Sequence, residues 1–166
     1  MEKVERWTGA FQFREYLDRA GGVPEVDLPP EVPGVYFITG RRWSGPLCDM
    51  AESLYVGKAY AAASGGLRGR LGDFVSSLLG FHGPLKTSGG RHNGGITVNL
   101  LCRNAARNPL ELFLAWFPMP EASEQQVLDK ERKLIDKLNP ICNRTGERRK
   151  SGRTKSDGDL RHNPAA

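Results

Sequence analysis

Gly34-Val35-Tyr36-Phe37-Ile38-Thr39 and Ser53-Leu54-Tyr55-Val56-Gly57 are the two stretches on which the fold turns. Their β-branched and aromatic content reads as strands at 35–39 and 53–57. Residues 40–52 form a long turn between them, so the pair makes a hairpin with an elongated tip. Tyr36 and Tyr55 fall on adjacent strands and can face the same side. A strand tyrosine is usually a packing residue with one satisfied hydroxyl, and spacing alone favours that reading here. Gly34 precedes Tyr36 by two positions and Gly57 follows Tyr55 by two, a hint of close backbone approach.

Upstream of the hairpin, Thr8 can cap a first helix with Phe11, Leu17 and Ala20 as its apolar residues, ended by Gly21-Gly22. A connector rich in proline follows, from Pro24 through Pro29-Pro30 to Pro33. Downstream, Leu67, Leu71, Phe74, Val75, Leu78 and Leu79 recur at helical spacing, and Gly80 stops that helix. Residues 80–95 read as a flexible, glycine-rich basic loop carrying His82, Lys86, Arg91 and His92. Ile96 to Cys102 reads as a strand, and Leu110 to Phe117 as a stronger one ended by Pro118 and Pro120. Ser123 and Gln126 form a capping box for a last helix that runs to about Leu138, before Pro140.

Two charged residues break apolar patterns. In the last helix the apolar stripe is Val127, Leu128, Leu134, Ile135 and Leu138, and Glu131 falls inside it. A carboxylate there needs a partner, because burying it alone is costly. Structural pairing and a metal or catalytic role stand even. Arg70 lies three residues after Leu67 and four before Phe74, beside the apolar face of its helix, whereas Arg68 points away. An inward guanidinium suits phosphate oxygens. The alternative is a salt bridge to Glu131 itself.

The 166 residues suffice for one domain with a real core. An apolar share of 39% and a charged share of 26% are ordinary for a globular protein. The N-terminus carries acid and lacks the apolar centre of a signal peptide. The longest apolar run, Leu112 to Phe117, is too short for a bilayer, so the expectation is a cytoplasmic protein with no membrane partner. Cys48, Cys102 and Cys142 are scattered and odd in number, which favours buried reduced thiols over disulfides or zinc. Of the net charge of +5, residues 144–166 hold +4, from seven Lys/Arg against three Asp/Glu. That polar, aromatic-free tail reads as disordered. The chain divides into a helix and connector (1–33), a folded domain (34–143) and a basic tail (144–166).

Gly34-Val35-Tyr36 with Tyr55-Val56-Gly57 resembles the paired signature of the GIY-YIG nuclease superfamily. The order of later elements agrees: Leu67-Arg68-Gly69-Arg70-Leu71 is similar to the family's arginine helix. Glu131 matches its metal-binding glutamate, and Asn139-Pro140-Ile141-Cys142-Asn143 its terminal asparagine. The resemblance implies an α+β fold, a small three-stranded antiparallel sheet flanked by helices, with insertions. Strands are expected near 35–39, 53–57 and 111–117, with Ile96 to Cys102 as an extra element inside an insertion at 80–109. It also implies hydrolysis of DNA phosphodiesters with Mg²⁺ or Mn²⁺ held by one carboxylate. Two departures stand out. The loop between the paired motifs is longer than in many members, and the histidine or tyrosine often found one turn after the arginine is Phe74 here. His82, His92 and Lys58 are the candidates to replace it.

In the mechanism so implied, Glu131 binds the metal and Arg70 donates to non-bridging phosphate oxygens. Tyr36 accepts a proton from water, and Tyr55 orients that water or the phosphate. Lys58 or the metal favours the phenolate, and Asn143 holds the end of the glutamate helix against the site. Lys86, Arg91, His82 and His92 are the expected DNA contacts of the inserted loop, which favours a self-contained endonuclease. Cutting both strands would call for a dimer. The rival readings are a nucleic-acid-binding module of the same fold that does not cut, and a scaffold whose basic tail binds acidic proteins.

Overall fold

The computed structural model describes residues 10–20, 28–42, 52–60, 65–81 and 92–143. Both strands of the expected hairpin are present, as β2 (Gly34–Thr39) and β3 (Ser53–Ala59), following a short β1 (Phe11–Gln12) and α1 (Phe13–Ala20). They pair antiparallel with Tyr36 opposite Gly57 and Phe37 opposite Val56, and the register shifts between Ile38 and Thr39. Next come α2 (Gly66–Leu78), α3 (Asn93–Asn104), a 3₁₀ turn (Pro109–Glu111), β4 (Phe113–Pro118) and α4 (Glu124–Leu138). The sheet is open and entirely antiparallel, in the order β1-β4-β2-β3, which leaves β3 at an edge.

Because side chains alternate across a strand, β2 feeds two cores. Tyr36 and Ile38 join Phe13, Leu67, Leu71, Phe74, Leu78, Val98 and Trp116 on one side. Val35 and Phe37 join Val56, Ala115, Val127 and Leu134 on the other, beneath α4. Burying each such aliphatic or aromatic side chain contributes about 1.5–3 kcal/mol, so the layering follows from the pattern of β2. The capping box of α4 forms as its sequence requires, with Ser123 Oγ accepting from Gln126 N–H and the Gln126 side chain accepting from Ser123 N–H. Asn139 ends the helix in the left-handed conformation at φ 47°.

Three expectations are corrected. The sheet has four strands rather than three, because Phe11 and Gln12 pair with Leu114 and Phe113 before the first helix begins. Phe11 stacks on Trp116 with ring centroids 5.6 Å apart, and α1 starts only at Phe13. Ile96 to Cys102 is helix, not strand: it lies within α3, whose buried residues are Gly94, Gly95, Val98 and Cys102. Its β-branched residues read as strand, yet a buried set four residues apart is a helix period, and packing on α2 overrides the propensity. Finally, His92 is no exposed loop residue but the N-cap of α3, 1% exposed. Cys102 and Cys142 are buried and take part in no disulfide. No helix among the described residues is long and apolar enough to cross a membrane. Cys48, His82, Lys86, Arg91, the cap proposed at Thr8, most of the elongated hairpin tip and everything after Asn143 lie outside the described residues.

Candidate active site

An open cleft of about 320 Å³ is lined by Tyr55, Lys58, Ala59, Tyr60, Arg70, Asp73 and Glu131. It runs along the edge strand β3, between α2 and α4. Each helix contributes the residue that broke its apolar pattern: Arg70 from α2 and Glu131 from α4.

Glu131 is buried at 8% exposure, and its carboxylate is paired with the Lys58 ammonium. Lys58 also sits over the Tyr60 ring, 5.8 Å from its centroid. The expected alternative, an Arg70–Glu131 ion pair, does not form, and Arg70 makes no ion pair among the described residues. The cleft thus presents one guanidinium with no ion-pair partner among the described residues and one carboxylate paired with a lysine.

Two lining residues were missed from the sequence. Asp73 stands one helical turn after Arg70, on the same face, and that i, i+3 spacing was the available signal. Tyr60 lies just past the strand end and carried no signal. Glu131 and Asp73 give the cleft hard oxygen donors from two elements. A divalent cation such as Mg²⁺, which uses one or two carboxylates and completes its shell with water and phosphate oxygens, fits that donor set.

Behind the cleft lies a sealed aromatic cluster. Tyr55 stacks on Phe74 (centroids 5.6 Å apart, planes at 27°), and Tyr36 lies 6.2 Å from Tyr55. Tyr36 is fully buried and is not among the cleft's lining residues; Tyr55 is. Gly57 is required here, since a Cβ at that position would lie 2.5 Å from the Tyr36 hydroxyl. Gly94 plays the same part on α3, where any Cβ would collide with the Tyr55 ring.

His92 enters this cluster edge-on to Phe74, at 5.2 Å between centroids, and its Nε2 lies 2.7 Å from the Tyr36 hydroxyl oxygen. Its backbone N–H donates to Ser77 Oγ at 2.8 Å, and Asn99 Nδ2 donates to the Leu78 carbonyl at 2.5 Å, tying α3 to the end of α2. Phe74 therefore occupies the helix position where the resemblance expects a histidine or tyrosine, while an imidazole reaches the tyrosines from α3.

Burial dominates the protonation chemistry. It pushes the Tyr55 phenol up to about 12, with Glu131 adding to the rise and Arg70 and the Tyr36 hydroxyl opposing it. It raises Tyr36 well above the ordinary phenol value as well. It lowers His92 to about 3, helped by the Arg70 charge, so the imidazole is neutral at any ordinary pH.

Asn143 contributes from outside the cleft. Val56 N–H donates to its Oδ1 and its Nδ2 donates to the Val56 carbonyl, both at 2.8 Å. The amide acts as a short strand on the exposed edge of β3 and pins the segment after α4 beside Tyr55. Asn143 is not among the residues that line the cleft. Compared with protein-family models, with curated proteins and with solved structures, the chain finds no match in any of the three.

Proposed function

We propose that this protein is a divalent-metal-dependent endonuclease of the GIY-YIG type, hydrolysing phosphodiester bonds in DNA. The observation that carries the reading is the convergence of Tyr55, Lys58, Arg70 and Glu131 on one cleft from three separate elements. These are residues that the resemblance assigns to catalysis, and nothing in their spacing along the chain required them to meet.

In this reading Glu131, with Asp73 lining the same cleft, would hold Mg²⁺ or Mn²⁺. When bound, such a cation supplies Lewis-acid stabilisation of charge developing on the phosphate. Arg70 binds the non-bridging oxygens with its planar fork of donors. Lys58, which lines the same cleft, would supply a second positive charge toward a bound phosphate. Tyr55, which faces the cleft, takes the proton from the attacking water as its phenolate and is left as the neutral phenol. That role was first expected of Tyr36, whose complete burial supports a supporting position instead. With the phenol titrating near 12, little phenolate is present at neutral pH, so the rate should climb about tenfold per pH unit through the neutral range.

A nucleic-acid-binding module that does not cut has one observation in its favour: the Glu131 carboxylate is already neutralised by Lys58. Supercoiled plasmid separates the two readings. Purified protein is expected to nick it with Mg²⁺ or Mn²⁺ and to stop on chelation. Plasmid bound but left intact across metals and pH would establish the binding module.

A further inference from the structure

The His92 ring is held at both nitrogens, and the two contacts together fix where its proton sits. Gly95 N–H donates to Nδ1 at 3.2 Å as the N-terminal cap of α3. A ring nitrogen that accepts a hydrogen bond carries no hydrogen, and a neutral imidazole has only one. The hydrogen is therefore on Nε2, 2.7 Å from the Tyr36 oxygen. Nε2–H donates and the Tyr36 oxygen accepts. Burial keeps the ring neutral, so this polarity does not invert across ordinary pH.

This direction has a consequence for the tyrosines. With its oxygen engaged as acceptor, Tyr36 must aim its own hydroxyl hydrogen elsewhere. The surrounding rings are Phe74, which accepts nothing strong, and Tyr55, whose phenol faces the cleft. We infer that His92 is a positioning residue, which orients Tyr36 as a donor to the Tyr55 oxygen and so makes a one-way hydrogen-bond line from α3 to the cleft. The line stabilises the phenolate of Tyr55, the form able to accept a proton, without any group behind it changing protonation. It rests on the proposed hydrolytic reading for its purpose, but not for its geometry. It also explains the closeness of α3: Gly94 lets the helix end approach Tyr55, so the imidazole can enter where Phe74 leaves no polar group.

Two substitutions separate this role from simple capping. His92→Asn retains an oxygen where Nδ1 stands, keeping the cap, and loses the donor. His92→Gln reaches the position of Nε2 with an N–H and loses the cap. The inference expects His92→Asn to unfold near the parental temperature while single-turnover plasmid cleavage falls about 10- to 100-fold, as for other orienting partners. His92→Gln should retain more cleavage than His92→Asn despite lower stability. The reverse ranking would overturn it. In a Tyr36→Phe background His92→Asn should add little further loss, and fully additive losses would contradict action through Tyr36. Long-range ¹⁵N–¹H correlation spectra of the full chain, without DNA, decide the orientation independently of cleavage. A neutral His92 protonated at Nε2, with Tyr55 titrating at higher pH in His92→Asn than in the parent, supports the line. A proton on Nδ1, or an unmoved Tyr55, overturns it even if the protein proves a nuclease. A parent that cuts nothing while showing both spectroscopic signs would remove the hydrolytic reading and leave the line intact.

Discussion

On the side of the sheet covered by α4, the polar residues are full charges that meet at an opening: Lys58 pairs with Glu131, and both line the cleft. Inside the core between the sheet, α2 and α3 they are neutral groups sealed among rings, with Tyr36 fully buried and His92 nearly so, while Arg70 and Asp73 of α2 stand at the cleft. Charges need water or a counter-charge, so they collect where a ligand can replace either. Neutral donors and acceptors can be buried if each finds a partner, and there they hold direction. On the proposed function, the first set would meet substrate and the second would hold direction, with Tyr55 where the two meet.

The tyrosines offer the largest expected effect by which to break this comparison. Tyr55→Phe should lower single-turnover cleavage by about 10²–10⁴-fold, the usual loss on removing a general base. Tyr36→Phe should cost only about 10- to 100-fold, as the loss of an orienting partner. Thermal unfolding of both must stay close to the parent for the comparison to count. A slow Tyr36→Phe beside a fast Tyr55→Phe would restore Tyr36 as the base and erase the division of labour.

Acid should attack the sealed side through His92. In the unfolded chain the imidazole takes up a proton near pH 6.5, while the folded ring resists until about 3. Below pH 6.5 the unfolded state therefore binds more protons, and stability falls as pH drops, by up to about 1.4 kcal/mol per unit. Above pH 6.5 His92 contributes no slope. Urea unfolding from pH 7 to 4 should show this decline in the parent and a shallower one in His92→Asn. Equal slopes would mean that the imidazole is not the buried neutral group described.

The smallest effect is expected at the pin on β3. Asn143→Ala removes two hydrogen bonds to Val56 and should cost about 1–3 kcal/mol. Cleavage at a temperature where the variant is folded should fall less than in Tyr55→Phe. An unchanged unfolding temperature would show that the edge is held by other contacts.

Much of this arrangement could be read from local pattern. β2, β3 and β4 announce themselves through runs such as Val35-Tyr36-Phe37-Ile38, and the boundaries of α4 follow from Ser123, Gln126 and Pro140. Glu131 and Arg70 were visible as charges out of place on apolar faces. What escaped depends on distant parts of the chain. A two-residue β1 has no period, and Ile96-Thr97-Val98 looks like strand until α2 is there to pack against. His92 next to Tyr36 joins residues 56 apart in sequence, with only a glycine pair after the histidine to suggest a close approach. The proposed exchange of roles between Tyr36 and Tyr55 rests on burial, which motif order does not give.

Glu131→Gln, compared with the parent for both plasmid binding and nicking in Mg²⁺, tests the central claim most directly. The substitution keeps the side chain's size, removes the charge needed to hold a cation and leaves Arg70 in place. DNA binding is expected to stay within a few-fold of the parent, with no detectable nicking at any Mg²⁺ concentration that supports the parent. A folded Glu131→Gln protein that nicks plasmid at the parental rate would contradict it.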